Sequence, residues 1–256
     1  MLSLDPGPAE PTGNPAPAIR LTVNLPIFAE REVLVELVEG LTSLVDPYLH
    51  EIILLIADRA PEETREICAG IAERFPVCRI SEQLDNPGLG MGVRQGIAEA
   101  SGTHILLIDS DGEMDVNTVP LMIQKLEETG ADMVVGSRWA KGGGVEGYDS
   151  FKYFLNRTYQ LLFRLLFRTS VHDLTLGFKL ARTDVMQSLP WNSRFHDIGC
   201  ETTMRVIRAG YHVTDVPTVW RKRKEGSSSN PFFHNFKYVR KALAILFGPS
   251  HRKALP

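Results

Sequence analysis

The sequence predicts one α/β domain built on a mostly parallel, doubly wound sheet flanked by helices. Three observations carry that prediction. Two short, near-continuous apolar runs, Glu51–Ala57 (EIILLIA) and His104–Asp109 (HILLID), have the length and composition of strands covered on both faces, as parallel strands are. Segments with apolar residues at helical spacing lie between such runs, the alternation that builds βαβ units. The chain's 256 residues, 43% hydrophobic and 23% charged, are of ordinary globular composition and enough to bury one large core.

Residues 1–18 (MLSLDPGPAEPTGNPAPA) are rich in Pro and Gly, lack the charged start and apolar stretch of a signal peptide, and read as a disordered leader. Arg20–Leu25 (RLTVNL) is β-branched and apolar, ends at Pro26, and gives the first strand. Glu30–Val45 places Val33, Leu34, Leu37, Val38, Leu41 and Leu44 at helical spacing. After the strand Glu51–Ala57, Pro61 opens a helix through Arg74, with Glu62 and Glu63 in its first turn. A short strand follows at Val77–Ser81, then a glycine-punctuated helix Gly90–Ala100, the buried strand His104–Asp109, a helix Val116–Glu128 and a strand Ala131–Gly136. Past Arg138 the alternation lapses. Lys141–Tyr148 (KGGGVEGY) reads as a loop. A long helix Ser150–Arg168 carries Arg157, Arg164 and Arg168 on one face. A segment Val171–Ala181 without clear periodicity, a helix Ile198–Ala209, a strand His212–Val219 and an amphipathic helix Phe232–Phe247 complete the chain.

Composition excludes several classes. Three scattered cysteines, Cys68, Cys78 and Cys200, include no CxxC pair, so neither a disulfide framework nor a cysteine-zinc site is expected and a reducing cytoplasm is the simpler setting. The greasy stretch Tyr159–Phe167 is interrupted by Arg164, and no run is long enough to span a bilayer. The net charge of −3 conceals an asymmetry: residues 221–256 hold nine Lys and Arg against Glu225 alone, leaving an acidic body. A basic tail on an acidic body points to anionic partners at one end, phosphates or a membrane surface. Its aromatics sit at helical rather than stacking spacing, which disfavours nucleic acid.

Two motifs carry chemistry. Asp109-Ser110-Asp111 follows a buried strand directly, with Glu113 beside it. Ligands of open α/β sheets bind beyond the carboxyl ends of strands, and clustered carboxylates there suit a hard cation, Mg²⁺ or Mn²⁺, with diphosphate oxygens completing its shell. The run Asn86-Pro-Gly88-Leu-Gly90-Met-Gly92-Val-Arg94-Gln-Gly96 lets backbone approach a ligand closely and leads into a helix N-terminus that favours anions. It is not a GxGxxG turn after a first strand, so a dinucleotide fold is disfavoured.

Taken with Leu25–Glu30, Ala57-Asp58, Gly136-Ser-Arg138, Asp173-Leu-Thr175-Leu-Gly177-Phe178-Lys179 and Arg223-Lys-Glu-Gly226-Ser-Ser228, these motifs resemble the family-2 glycosyltransferases, in register from about residue 20 to 229. Within them the chain is most similar to the dolichyl-phosphate mannosyltransferase-like, polyprenyl-phosphate sugar transferases. The resemblance implies a GT-A-type domain over 19–230, with a nucleotide-sugar-binding half (19–138) and an acceptor-binding half (139–230). It implies that Pro26, Phe28, Glu30 and Asp58 hold the nucleoside, and that Asn86, Gly88, Gly90, Arg94, Ser110, Lys179 and Ser228 also bind the nucleotide-sugar. Asp109, Asp111 and Glu113 would ligate the metal. Arg138 would lie near donor or acceptor phosphate, Asp173, Lys179 and Glu201 on the acceptor side, and Arg223, Gly226 and Ser228 in a loop closing over phosphate. Ala29, Ala57 and Ser229 stand where the family commonly has Asn, an acid and Lys.

The implied activity is metal-dependent, inverting transfer from a GDP- or UDP-sugar to a polyprenyl phosphate. A hydroxyl acceptor, in a glycan or secondary metabolite, would need a general base, with Asp173, Asp197 and Glu201 the candidates; an anionic lipid phosphate needs cations instead. A catalytically weak nucleotide-sugar-binding protein is the alternative of another class. The expected setting is the cytoplasm, with residues 231–256 as a basic amphipathic helix able to touch the inner face of a membrane.

Overall fold

The computed structural model describes residues 19–85, 88–147, 150–223 and 235–249. The expected leader, Asn86, Gly226 and Ser228 lie outside the described residues. The elements in chain order are β1 (Leu21–Ile27), α1 (Glu32–Val45), a 3-10 turn (Asp46–Tyr48), β2 (Leu49–Ile56), α2 (Glu62–Arg74), β3 (Cys78–Glu82), α3 (Leu89–Glu99) and β4 (His104–Leu107). There follow α4 (Thr118–Thr129), β5 (Met133–Ser137), β6 (Gly144–Glu146), α5 (Ser150–Phe167), β7 (Lys179–Arg182), α6 (Thr183–Ser188), α7 (Ile198–Arg208), β8 (Val213–Pro217), β9 (Val219–Arg221) and α8 (Asn235–Phe247).

The main sheet runs β3-β2-β1-β4-β7-β5-β8. Its pairings are parallel except for β7, which lies antiparallel between β4 and β5. Alternation along the strands divides two cores. Leu21, Val23, Leu25 and Ile27 face α1, α2 and α4 with Leu34, Leu41, Cys68 and Met122. Ile105, Leu107, Met133 and Val135 face α3, α6 and α7 with Val93, Ile97, Met186 and Val206. A third cluster joins Phe163 and Phe167 of α5, Cys200 and Met204 of α7, and Ala242 and Ile245 of α8. The C-terminal helix thus spends one apolar face on the body of the protein. Among the described residues no helix is long and apolar enough to cross a membrane.

The segment after residue 138 departs from the sequence reading in three places. Lys141–Tyr148 is not wholly a loop: Gly144–Glu146 pairs in parallel with Val219–Arg221 as a small second sheet. The aperiodic segment Val171–Ala181 ends in β7, which enters the middle of the sheet against the parallel trend; its four residues are too few to show a period. The expected strand His212–Val219 divides at Thr218: its N–H makes the last bond to β5, at the Ser137 carbonyl (3.0 Å), and β9 then pairs with β6 in the second sheet.

At the amino ends of the strands, opposite the cavity described below, Glu51 gathers the sheet. Its carboxylate accepts from Arg79 Nε (2.8 Å), Thr22 Oγ1 (2.8 Å), and Ser101 N (2.8 Å) and Oγ (2.6 Å). Arg79 also reaches Glu99 at 2.8 Å. Burial pushes the Glu51 carboxyl up, but these donors outweigh it and hold it down at about 2. A carboxyl depressed on folding adds stability that is fully present above its ordinary value of 4.5 and is lost as pH falls toward 2. Glu51→Gln is therefore expected to lower unfolding free energy at pH 7 by about 2 kcal/mol and to flatten the loss of stability in that acid window, as read by urea titrations across pH.

Candidate active site

A cavity of about 840 Å³ opens at the carboxyl ends of β1, β2 and β4. Pro26 and Phe28 line it where β1 ends, and Asp58 where β2 ends. Glu30 also faces it, while its Oε2 accepts the N–H groups of Phe28 (2.7 Å) and Ala29 (3.0 Å), so this carboxylate shapes the turn that presents Phe28. Phe28 is 56% exposed, a ring face open to a planar ligand.

The glycine run does different work from that expected. Gly88 lines the cavity at φ +128°, and a Cβ there would fall 2.2 Å from the Arg194 carbonyl oxygen. Gly90 donates its N–H to that same carbonyl at 2.9 Å. The close approach is thus to the 193–195 segment, which it seats so that Phe195 and His196 enter the cavity wall. Gly90 and Arg94 themselves do not line the cavity, and Arg94 Nη1 rests on Met91 Sδ at 3.4 Å.

The acidic cluster sits just past β4, on the cavity, and Ser110 Oγ fixes its loop by donating to the Pro26 carbonyl at 2.5 Å. Arg223 is clasped between two of its carboxylates: Nη2 to Asp111 Oδ2 at 2.7 Å and Nε to Glu113 Oε1 at 2.9 Å. Trp220 Nε1 donates to Glu113 Oε2 at 2.9 Å, and the Arg221 N–H to the Glu113 carbonyl at 2.8 Å. Both Glu113 oxygens are engaged in this way, and Glu113, which lines the cavity, straps β9 to the acidic loop. Asp111 Oδ1 accepts the Glu113 N–H at 3.0 Å. Burial and the charges of Asp111 and Glu113 push Asp109 up to about 7, and burial with Glu113 pushes Asp111 up to about 6. These two aspartates resist ionising together unless a cation joins them.

Arg138 lines the far side of the cavity. Its Nε and Nη2 grip Asp173 at 2.7 and 3.1 Å, and Nη2 also reaches Thr175 Oγ1 at 3.1 Å. Gln160 of α5 donates to Thr175 Oγ1 at 2.7 Å and accepts the Leu174 N–H at 2.8 Å. Asp173 is wholly buried and outside the cavity. Burial raises its carboxyl, but Arg138 and neighbouring N–H groups win and hold it below the usual range. Its reading as a base is corrected on that ground: it aims Arg138. Glu201 is likewise wholly buried, accepting from Asn192 N (3.0 Å), Ser193 N (2.7 Å) and Arg205 Nε (2.9 Å), so it holds the 192–193 turn and not an acceptor. Asp197 accepts from Ser193 Oγ at 2.8 Å and pairs with Lys241 at 3.3 Å. Lys179 is buried too, its Nζ donating at 2.7 Å to each of Gly199 O, Thr202 Oγ1 and Thr203 Oγ1, and burial pushes it down to about 7. It fixes α7 against the sheet and touches no ligand space, correcting its reading as a nucleotide-sugar contact.

Sequence reasoning missed Phe195, His196, Trp220 and Tyr238 as lining residues, and Lys237, noted only as a tail charge, lines the cavity with them. Their signal was weak: they come from a turn, the short strand β9 and a helix far along the chain, and no motif names them.

The family model described as glycosyl transferase family 2 matches residues 22–189. The chain is 26% identical over 226 residues to a dolichol-phosphate mannosyltransferase of Pyrococcus furiosus, covering 87% of this chain and 62% of that protein's length. It is 26% identical over 229 residues to a polyprenol monophosphomannose synthase of Mycolicibacterium smegmatis, covering 87% and 85%. Among solved structures, glucosyl-3-phosphoglycerate synthase from Mycobacterium tuberculosis, in complex with Mn²⁺, UDP and phosphoglyceric acid, superposes with a TM-score of 0.65 at 18% identity, covering 89% of this chain and 77% of that one. That likeness shows a common fold.

Asp173→Asn is expected to strip the nearly buried Arg138 guanidinium of its carboxylate partner and to lower unfolding free energy by about 3 kcal/mol. Denaturant titration checks it: unchanged stability with lost turnover would restore Asp173 as a base.

Proposed function

Because the chain belongs to glycosyl transferase family 2, and is a glycosyltransferase, we propose that it performs inverting, divalent-metal-dependent transfer from a GDP- or UDP-sugar to a polyprenyl (dolichyl-type) phosphate. The two relatives above carry names of that substrate class.

The nucleoside binds at the ends of β1 and β2, the base against Phe28 and beside Pro26, with Asp58 and Glu30 near the ribose. Asp109 and Asp111 fit a hard divalent cation. Both offer oxygen, both are desolvated, and no hydrogen bond among the described residues satisfies the Asp109 carboxylate. Among those residues no cluster of three or more His, Cys, Asp and Glu side chains forms a cage, and donor diphosphate oxygens and water would complete the shell. When bound, Mg²⁺ or Mn²⁺ supplies neutralisation of the departing diphosphate. Arg223 lies within reach of the same phosphates once it is released from Asp111.

The observation that carries the acceptor class is the fate of the three candidate bases. Asp173, Asp197 and Glu201 are all engaged by other partners away from the cavity, while Arg138, Arg223 and Lys237 face it. Such a wall suits an acceptor that arrives as an anion and has no proton to lose. The acceptor phosphate oxygen attacks the anomeric carbon as the bond to diphosphate breaks, and Arg138 and Lys237 hold it in line. One observation favours the second reading, a soluble hydroxyl acceptor: His196 lines the cavity and supplies an imidazole for a base.

Asp111→Ala is expected to reduce transfer at least about a hundredfold in Mn²⁺, with unfolding free energy changed by less than about 1 kcal/mol, since the lost Arg223 pair is offset by relief of like-charge repulsion. Wild-type transfer in a panel of GDP- and UDP-sugars would contradict the metal role. His196→Ala is expected to slow transfer to a prenyl phosphate by no more than a few-fold; a loss of about a hundredfold or more in the same radiolabel assay would favour the hydroxyl reading.

A further inference from the structure

α5 is apolar on two opposite faces. One face, with Phe163 and Phe167, is buried in the protein. The other runs Phe151, Phe154, Thr158, Leu161, Leu162, Leu165, at spacings of three and four residues, and its large apolar members are 42–70% exposed. A single exposed leucine means little, but a stripe about four turns long on a chain of this size marks a contact surface.

Charge identifies the partner. Neither α5 (SFKYFLNRTYQLLFRLLF) nor α8 (NFKYVRKALAILF) contains an acid. Arg157, Arg164 and Arg168 follow one another at seven and four residues, on the helix row beside Leu161 and Leu165. Arg157 and Arg168 are exposed. α8 packs beside α5 and presents Arg240, Leu243 and Phe247, with Leu243 41% and Phe247 81% exposed. The opposite end of α8 borders the active-site cavity through Lys237 and Tyr238. Pairing of two copies across a two-fold axis would set these acid-free, cationic helices against each other, which like-charge repulsion opposes.

We propose that the exposed face of α5, with the outer face of α8, lies in the interface of an anionic lipid bilayer. The phenylalanines and leucines enter the headgroup boundary, the flanking arginines meet lipid phosphates, and the cavity mouth is brought to the membrane surface. Side chains buried this way in a lipid interface act together with basic residues in the manner of monotopic helices. α5, and not the C-terminal helix alone, is the principal contact, because α8 already spends Ala242 and Ile245 on the protein core. The proposal extends the polyprenyl-phosphate reading by saying how a protein without a described membrane-spanning helix reaches a lipid acceptor.

The test is co-sedimentation of the full chain with phosphatidylcholine vesicles, with and without about a third phosphatidylglycerol. Binding to the anionic vesicles is expected, weakened by high salt. The triple variant Phe154→Ser, Leu161→Ser, Leu165→Ser is expected to bind at least about tenfold more weakly while keeping wild-type thermal unfolding and transfer to a short, water-soluble prenyl phosphate. Equal binding by variant and wild type, or no binding by wild type, overturns the proposal. So does a wild-type dimer, by sedimentation velocity, that the triple variant dissociates. Vesicle binding that persists in a protein inert toward every prenyl phosphate would instead sink the acceptor reading and leave the surface assignment standing.

Discussion

Three carboxylates crowd the carboxyl end of β4, and a single guanidinium clasps two of them. Asp109, Asp111 and Glu113 fall within five residues, in a wall largely removed from water, where like charges a few ångströms apart repel strongly. Arg223 answers that repulsion by bridging Asp111 and Glu113. Its position ties the late strand β9 to a loop more than a hundred residues earlier, with Trp220 adding a second tie through Glu113. The compensation is incomplete, because Asp109 lies outside the clasp and its carboxyl is pushed up to about 7. A site built so favours a further positive charge, and the divalent ion proposed above, arriving with a nucleoside diphosphate, would supply it.

The opposite wall is held by charges buried behind the cavity lining. Asp173 fixes Arg138, Glu201 fixes the 192–193 turn, and Lys179 pins the first turn of α7 through three neutral oxygens. Buried ionic groups add little to stability when fully paired and cost much when half-paired. Their worth here lies in rigidity: Gly199 and Thr202, both on the cavity wall, are the groups that Lys179 grips directly. A cavity that aligned two phosphate-bearing substrates, as proposed above, would gain from a wall with few alternative arrangements.

Much of this was legible in the chain and some of it was not. Strands covered on both faces announce themselves as unbroken apolar runs, so β2 and β4 were plain, and with β4 came the position of Asp109 and Asp111 at its end. Asp173, Lys179 and Glu201 were expected to face a ligand, whereas all three are buried behind the cavity lining. Sequence spacing says which residues are near a site, but not whether a side chain points into it or behind it. The Gly88–Gly90 turn was read as a cradle for a ligand, whereas its closest neighbour is the Arg194 carbonyl, a contact between segments a hundred residues apart. The exposed stripe of α5 was hidden for a different reason: a helix apolar on both faces looks, in one dimension, like any buried helix.

On the proposed function, Asp109 and Asp111 are poised for a cation that arrives with a diphosphate. The most direct measurement is free Mn²⁺ by electron paramagnetic resonance during titration of the full chain, with and without saturating UDP or GDP. The account predicts that one of the two nucleotides tightens Mn²⁺ binding at least about tenfold, since its oxygens complete a shell that the protein leaves open. Mn²⁺ affinity that is the same with either nucleotide as without would contradict it.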